Sequence, residues 1–323
     1  MKTSKEKYKA LVEANEDICI YNKPFWLDAV CGEDNWDAVV IERNGEIVAA
    51  VPYHMKKRFG IRCVLEPQLT QRLDIVMKSK NSLKYERQLS YQFNVIEEVA
   101  EKLLEVKADY LDQMLSGKPD TWLPFCWKGF HQETRYTFLI EAGHSHEELW
   151  QQMSSKQKNE IAQAMERASV VEINDIDTFY RYQSFAYSCR GMKNPVSREL
   201  VERLYYACKE HNACKMLAVK VDGDICCVGL YVCDNRFIYE ILTGTDPEKK
   251  SLNCKSLMTY EMMKTAMDTG RGFDFEGSMV KSIAEHNRRY GAVVIPYNHV
   301  WKMNTGNILK RWALKRKFRN DRS

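Results

Sequence analysis

Residues 36–55 read WDAVVIERNGEIVAAVPYHM and residues 214–233 read CKMLAVKVDGDICCVGLYVC. Each sets a two-residue pair, Asn44-Gly45 or Asp222-Gly223, between runs rich in β-branched and apolar side chains. Asn-Gly and Asp-Gly accept the positive φ angles of a type I′ turn, whose twist matches the strands on either side, so both segments are expected to be β-hairpins. The hairpins lie 178 residues apart, and the same offset aligns Gly45 with Gly223, Ile47 with Ile225 and Tyr53 with Tyr231. That offset favours duplication of one supersecondary unit. Two unrelated hairpins with common turn chemistry are the alternative.

Working outward, Ile96, Val99, Leu103 and Val106 recur at helical spacing after the first hairpin, before an extended stretch ADYLDQML. After the second come a strand RFIYEILTG, a polar loop DPEKKSLNCKS and a helix around LMTYEMMKTAMD stopped by Gly270. A strand GFDFEG, a helix MVKSIAEHNRR stopped by Gly291 and a strand VVIPYNHVWKM follow. Strands alternating with helices predict a mixed α/β sheet in each half. At 323 residues the chain exceeds the roughly 250–300 at which one core stops growing. Two domains are therefore expected, over 1–140 and 141–305, with a basic helix or tail over 306–323. The boundary is expected between Tyr136 and Ser145, where Ser145 with Glu148 makes a capping box at the start of a new helix.

Hydrophobic residues make up 45% of the chain and charged ones 28%, which is the balance of a folded globule and excludes a disordered or fibrous class. The N-terminus, MKTSKEKYKALVEANED, carries charge throughout and lacks the apolar core of a secretory signal, and no apolar run reaches membrane-spanning length. A cytoplasmic protein is expected. The 11 cysteines are an odd number without a paired metal-ligand spacing, so they read as reduced thiols, mostly buried. Cys226 and Cys227 are neighbours on a strand and point to opposite faces. No metal site is expected. Lys310, Arg311, Lys315, Arg316, Lys317, Arg319 and Arg322 oppose only Asp321 in the tail, so the basic footprint is that segment. It suggests contact with a membrane surface; no module for reading DNA accompanies it.

The order hairpin, strand, polar loop, helix, strand resembles the acyl-donor half of a GNAT acetyltransferase, and two such halves resemble the FemAB and lysyl-transferase-like branch. The stretches that carry the resemblance are PFWLDAVCG, VPYHMKKRFGIRCVLEPQLTQ, PFCWKGFHQETRYTFLIE, SSKQKNEIAQAMERA, RGMKNPVSRELVERLYYAC and FDFEGSMVKSIAEHNRRYGAVVIPY. The resemblance implies tandem GNAT-like domains, an acyltransferase moving an acyl or aminoacyl group to an amine on a sugar, lipid or peptide precursor, and acyl-CoA as co-substrate with aminoacyl-tRNA as the alternative donor. Two departures stand out. The family's phosphate loop, Q/R-x-x-G-x-G/A, corresponds to Lys249-Lys250-Ser251-Leu252-Asn253-Cys254, which has basic residues and no glycine. The Phe-Lys-x-x-Phe-Gly run of the tRNA-dependent enzymes corresponds to His286-Asn287-Arg288-Arg289-Tyr290-Gly291, where asparagine takes the lysine position. A non-catalytic protein of the same fold, binding a ligand or partner, is the competing reading.

Acyl transfer to an amine needs a group to take the proton and donors for the oxyanion. No nucleophile elbow is present, so direct attack is expected. Strand period puts Glu240 on a face with Ile238 and Leu242, where burial should raise its carboxyl toward a general base; a salt-bridged or edge-exposed glutamate is the alternative. Glu276, at a strand end before Gly277 and Ser278, is the second catalytic candidate, with Ser278 read as a substrate contact or as a helix cap. Arg190 could meet an anionic substrate group bidentately. By resemblance Thr243, Lys249, Lys250, Ser251 and Asn253 hold the donor, the lysines and the N-terminus of the following helix facing its anionic part.

Overall fold

The computed structural model describes residues 2–78, 84–116, 121–189 and 191–319. In the first half, α1 (Ser4–Glu13) and α2 (Pro24–Cys31) precede β1 (Trp36–Arg43), β2 (Glu46–Arg58), β3 (Ile61–Leu65) and the short β4 (Val76–Met77). Then come α3 (Tyr85–Glu105), β5 (Tyr110–Leu115), α4 (Leu123–Trp127) and β6 (His131–Ile140). In the second half α5 (His146–Gln152), α6 (Ser155–Met165), β7 (Ala168–Glu172), α7 (Ile176–Ser188) and α8 (Arg198–Glu210) lead into β8 (Cys214–Val221), β9 (Asp224–Cys233) and β10 (Phe237–Thr245). The chain ends with α9 (Cys254–Asp268), β11 (Gly272–Asp274), α10 (Lys281–Arg288), β12 (Val293–Met303) and α11 (Ile308–Arg319).

Both two-residue turns form, with φ of 53° and 81° at Asn44-Gly45 and 52° and 87° at Asp222-Gly223. The duplication extends into the backbone register. In the first hairpin the pairing slips between Ile41 and Glu42, leaving Val48 of β2 as the extra residue. In the second it slips between Val219 and Lys220, leaving Cys226 of β9 as the extra residue. Val48 and Cys226 are 178 positions apart, the offset of the turns. A bulge interrupts the ladder and bends the strand, so unrelated hairpins have no reason to share its position. The onward topology repeats too: β1, β2 and β3 are antiparallel neighbours and β3 is parallel to β5, as β8, β9 and β10 are antiparallel and β10 is parallel to β11. In each half one long helix, α3 or α9, precedes the parallel strand, because a parallel pair cannot be closed by a tight turn. The fold is mixed α/β with a tandem repeat.

Compactness divides the chain into Met1–Arg135 with Pro296–Ser323, and Tyr136–Ile295. This differs from boundaries at 140 and 305. In the first unit β5 pairs antiparallel with Asn298–Met303 of β12; in the second, β11 pairs antiparallel with Leu139 and Ile140 of β6. Each repeat is thus completed by a strand from the other half of the sequence, which short-range pattern cannot reveal. The final helix belongs with the first unit: Leu314 is buried against Cys63 and Tyr110, and Lys310 holds Asp109 at 2.9 Å.

The first core sets Val95, Ile96, Val99 and Leu103 of α3 against Val39, Ile41, Val51 and Val64, each full burial contributing about 1.5–3 kcal/mol. The second gathers Leu257, Met258, Met262 and Met263 of α9 with Tyr231, Phe273 and Phe275. Of the cysteines, Cys208, Cys226, Cys227 and Cys254 are among those buried, all as free thiols. Burial is the leading cause that lifts the Cys254 thiol to about 12, so it behaves as a small apolar group. No helix among the described residues is long and apolar enough to cross a membrane.

Candidate functional site

Glu240 stands in the middle of β10 opposite Tyr231 of β9. The next residue breaks the alternation: pairing jumps from Glu240–Tyr231 to Leu242–Leu230, leaving Ile241 without a partner on β9. Glu240 and Leu242 therefore no longer share a face by simple period, contrary to the reading from sequence. The Glu240 side chain is 9% exposed and turns toward α9. Its Oε1 lies 2.9 Å from Lys255 Nζ. Its Oε2 accepts from Thr259 Oγ1 at 2.9 Å and from Tyr231 OH at 3.2 Å. Lys255 and Thr259 are one helical turn apart, which is why both reach the same carboxylate.

The expected rise in the Glu240 pKa does not occur. Burial does push it upward, but the Lys255 ammonium, reinforced by the Thr259 hydrogen bond, outweighs that and leaves the carboxyl below its ordinary value. Lys255, at the end of the polar loop DPEKKSLNCKS, is committed to Glu240. Around this pair sit further polar groups: His286 Nε2 is buried without a partner, and the fully buried Tyr290 ring lies 5.3 Å from the His286 ring. Burial first, then Lys255, lowers the His286 pKa to about 4, so the ring is neutral at neutral pH. Asn287, at the lysine position of the resemblance, is buried with its amide nitrogen unpartnered. Sequence reading missed Tyr231, Thr259 and Tyr290 as members of this group. The available signal was the pairing register of two adjacent strands and an i, i+4 spacing on each of two helices.

The donor loop forms a 3₁₀ turn, Pro247–Leu252, leading to α9. Lys249 is tied back to Asp224 at 3.1 Å, which raises its pKa, and Lys250 and Ser251 are exposed. Asn253 occupies the N-cap of α9 in a left-handed conformation, φ 57°, and its side chain makes no capping bond; its amide donates to Gln163 at 3.4 Å instead. Thr243 is half-buried on β10 opposite Gly229. Arg190 lies outside the described residues.

Glu276 is held by other means. Asp274, fully buried, accepts from Thr137 Oγ1 at 2.5 Å and from the Glu276 amide at 2.9 Å, and Thr137 Oγ1 accepts from Gly277 N. These bonds set Glu276 at φ 56°, a conformation uncommon for a side chain of its size. Ser278 is not the cap of α10: Val280 takes that position, and the Ser278 hydroxyl accepts from Val280 N at 3.0 Å.

In the first unit, His299 is a buried imidazole 2.9 Å from Asp112, which also accepts from Tyr110 OH. This group links β5 and β12. His54 of β2 is buried with Nδ1 unpartnered, and burial, then Lys56, lowers its pKa to about 4. An unfolded histidine titrates near 6.5. The folded value is depressed, so the stabilisation is complete above about pH 6.5 and is lost as pH falls toward 4. The unfolding free energy from urea titrations is expected to drop across that window by an amount approaching ~3 kcal/mol for His54. His54→Asn should remove its share of the drop and leave the share of His286, which titrates over the same window, and an unchanged slope in that variant would assign the acid lability elsewhere.

Residues 155–282, which contain Glu240, Lys255 and the donor loop, match the family model of the acetyltransferase (GNAT) domain. No curated protein matches the chain in sequence. Among solved structures, the chain is similar to FemX, with a TM-score of 0.68 at 14% identity over 92% of this chain and 96% of that one. It is similar also to a tandem GNAT protein from the clavulanic acid biosynthesis pathway, with a TM-score of 0.53 at 9% identity over 93% and 94%. A third is the C-terminal domain of a lysylphosphatidylglycerol synthetase from Agrobacterium fabrum, described as putative in its source, with a TM-score of 0.54 at 10% identity over 94% and 92%. These similarities establish a shared fold.

Proposed function

We propose, from a chain that carries a GNAT acetyltransferase domain at 155–282 within a tandem fold shared with FemX, that the protein is an acyltransferase acting by direct attack of an amine on a thioester or ester donor. The observation that carries this reading is the carboxylate of Glu240, kept ionised in an apolar core beside a break in strand pairing. An ionised carboxylate can take a proton from an attacking amine without first losing its own. Its hydroxyl partners, Thr259 and Tyr231, offer a route for that proton while Lys255 keeps the acceptor oxygen in place. Glu276, Ser278 and Arg190 are the residues proposed to meet the acceptor, an amine on a sugar, lipid or peptide precursor.

Acyl-CoA is the proposed donor and aminoacyl-tRNA the alternative. Thr243, Lys249, Lys250, Ser251 and Asn253 would hold its anionic part, chiefly through the lysine side chains because no glycine permits close backbone approach. A second reading, a ligand-binding protein of the same fold without turnover, is favoured by the three partners that already occupy Glu240. The two separate on binding and turnover measured together. Acetyl-CoA at 100 times its dissociation constant should stabilise the chain by about 2.7 kcal/mol. Lys249→Ala with Lys250→Ala should weaken that binding at least tenfold and leave folding within about 0.5 kcal/mol. Binding of CoA without acetylation of any amine acceptor would support the second reading. Binding of neither CoA thioesters nor aminoacyl-tRNA would sink the donor assignment.

A further inference from the structure

The first unit carries two exposed aromatic side chains set among cations, on separate elements fastened to one carboxylate. The β2–β3 turn is Phe59-Gly60, with φ of 50° and 73°. Asn44-Gly45 and Asp222-Gly223 make the same kind of turn with a small polar residue first, the type that tolerates positive φ. Here a phenylalanine takes the strained position and is 89% exposed, after Lys56, Lys57 and Arg58, which are also exposed. Neither turn chemistry nor core packing accounts for it. On α11, Ile308, Leu309 and Trp312 are 81%, 78% and 62% exposed. Arg311, Lys315 and Arg316 are exposed on the same outward arc, while Leu314 faces the core. Asp109 joins the two elements: it accepts from the Arg62 backbone of β3 at 2.9 Å and pairs with Lys310 of α11 at 2.9 Å.

We propose that these two elements form a docking surface for an anionic phospholipid bilayer, with Phe59, Trp312, Ile308 and Leu309 entering the interface and the surrounding lysines and arginines meeting the lipid phosphates. Aromatic and aliphatic side chains flanked by cations are the composition that partitions into the headgroup region, and the described part of α11 contains no acidic residue to oppose it. A nucleic acid would use the same cations but gains nothing from exposed isoleucine and leucine. The proposal stands apart from the transferase reading and does not require it.

Flotation of the full chain with vesicles of phosphatidylcholine containing 30 mol% phosphatidylglycerol tests it. Binding is expected at low salt, with weakening as salt rises and little binding to pure phosphatidylcholine. Arg311→Gln, Lys315→Gln and Arg316→Gln together should reduce partitioning by about 100-fold, at roughly fivefold per charge removed. Phe59→Asn suits the turn better than the native residue, so that variant should fold at least as well while binding vesicles at least tenfold less; Trp312→Ala should do likewise. Absence of binding to the anionic vesicles overturns the proposal. So does binding that ignores Phe59 and Trp312, or retention on tRNA with none on vesicles.

Discussion

Replacing Glu240 by glutamine is expected to lower turnover by about 10²- to 10⁴-fold, the range for loss of a positioned general base. The same change removes the anion from a buried pair and leaves the Lys255 ammonium facing an amide. Breaking a buried pair costs about 3–5 kcal/mol, and with Lys255 30% exposed the lower end applies, about 3 kcal/mol. The two effects can be separated. Glu240→Gln with Lys255→Met removes both charges and should recover most of the stability while turnover stays low. If the double variant regains turnover along with stability, Glu240 is a structural member of the core. The pH dependence has a definite sign: the folded carboxyl is depressed, so its contribution is complete above the unfolded value near 4.3 and is lost as pH falls through the lower folded value.

Gly244→Ala should be one of the two most damaging single-methyl changes in the second unit, beside Gly277→Ala, whose Cβ would lie 2.1 Å from the Tyr136 carbonyl oxygen. A Cβ at Gly244 would lie 2.4 Å from Gln183 Cα and 2.4 Å from the Tyr182 carbonyl oxygen, both backbone atoms of α7. Backbone cannot rotate away as a side chain does, so α7 or β10 must move, at a cost of about 3 kcal/mol or more. Gly45→Ala is the useful contrast. Its Cβ would meet nothing within 4 Å, and the cost there is the backbone strain of φ 81°, about 1–2 kcal/mol. Urea unfolding of the two variants should preserve that order. Equal losses would mean that the α7–β10 contact relaxes freely. Because Thr243 and Glu240 share β10, Gly244→Ala should also weaken donor binding in the folded fraction.

What was legible in advance follows from the range of each interaction. The hairpins could be read because a type I′ turn depends on two adjacent residues, and the stops of α9 and α10 because Gly270 and Gly291 take φ of 69° and 85°. The Ser278 cap could not. Thr137, 140 residues earlier, holds the Gly277 amide and helps delay the helix to Lys281. The lowered Glu240 pKa was hidden for a similar reason: strand period exposes a carboxylate among apolar neighbours, but the cation beside it comes from the next helix.

Turn residues, helix stops and the 178-residue offset therefore determined by themselves a mixed α/β chain with two like hairpins and a carboxylate on the strand after the second, and favoured duplication of one unit. Those signals act over one to four residues, or repeat at a constant spacing, and need no knowledge of distant neighbours. Only the tertiary structure decided that the register slips recur at the same offset, that β6 and β12 complete the opposite repeats, and that Lys255 holds Glu240 ionised. Each of these is set by groups brought together from distant or separate elements, where burial strengthens every charge and hydrogen bond and the local pattern carries no record of the partner.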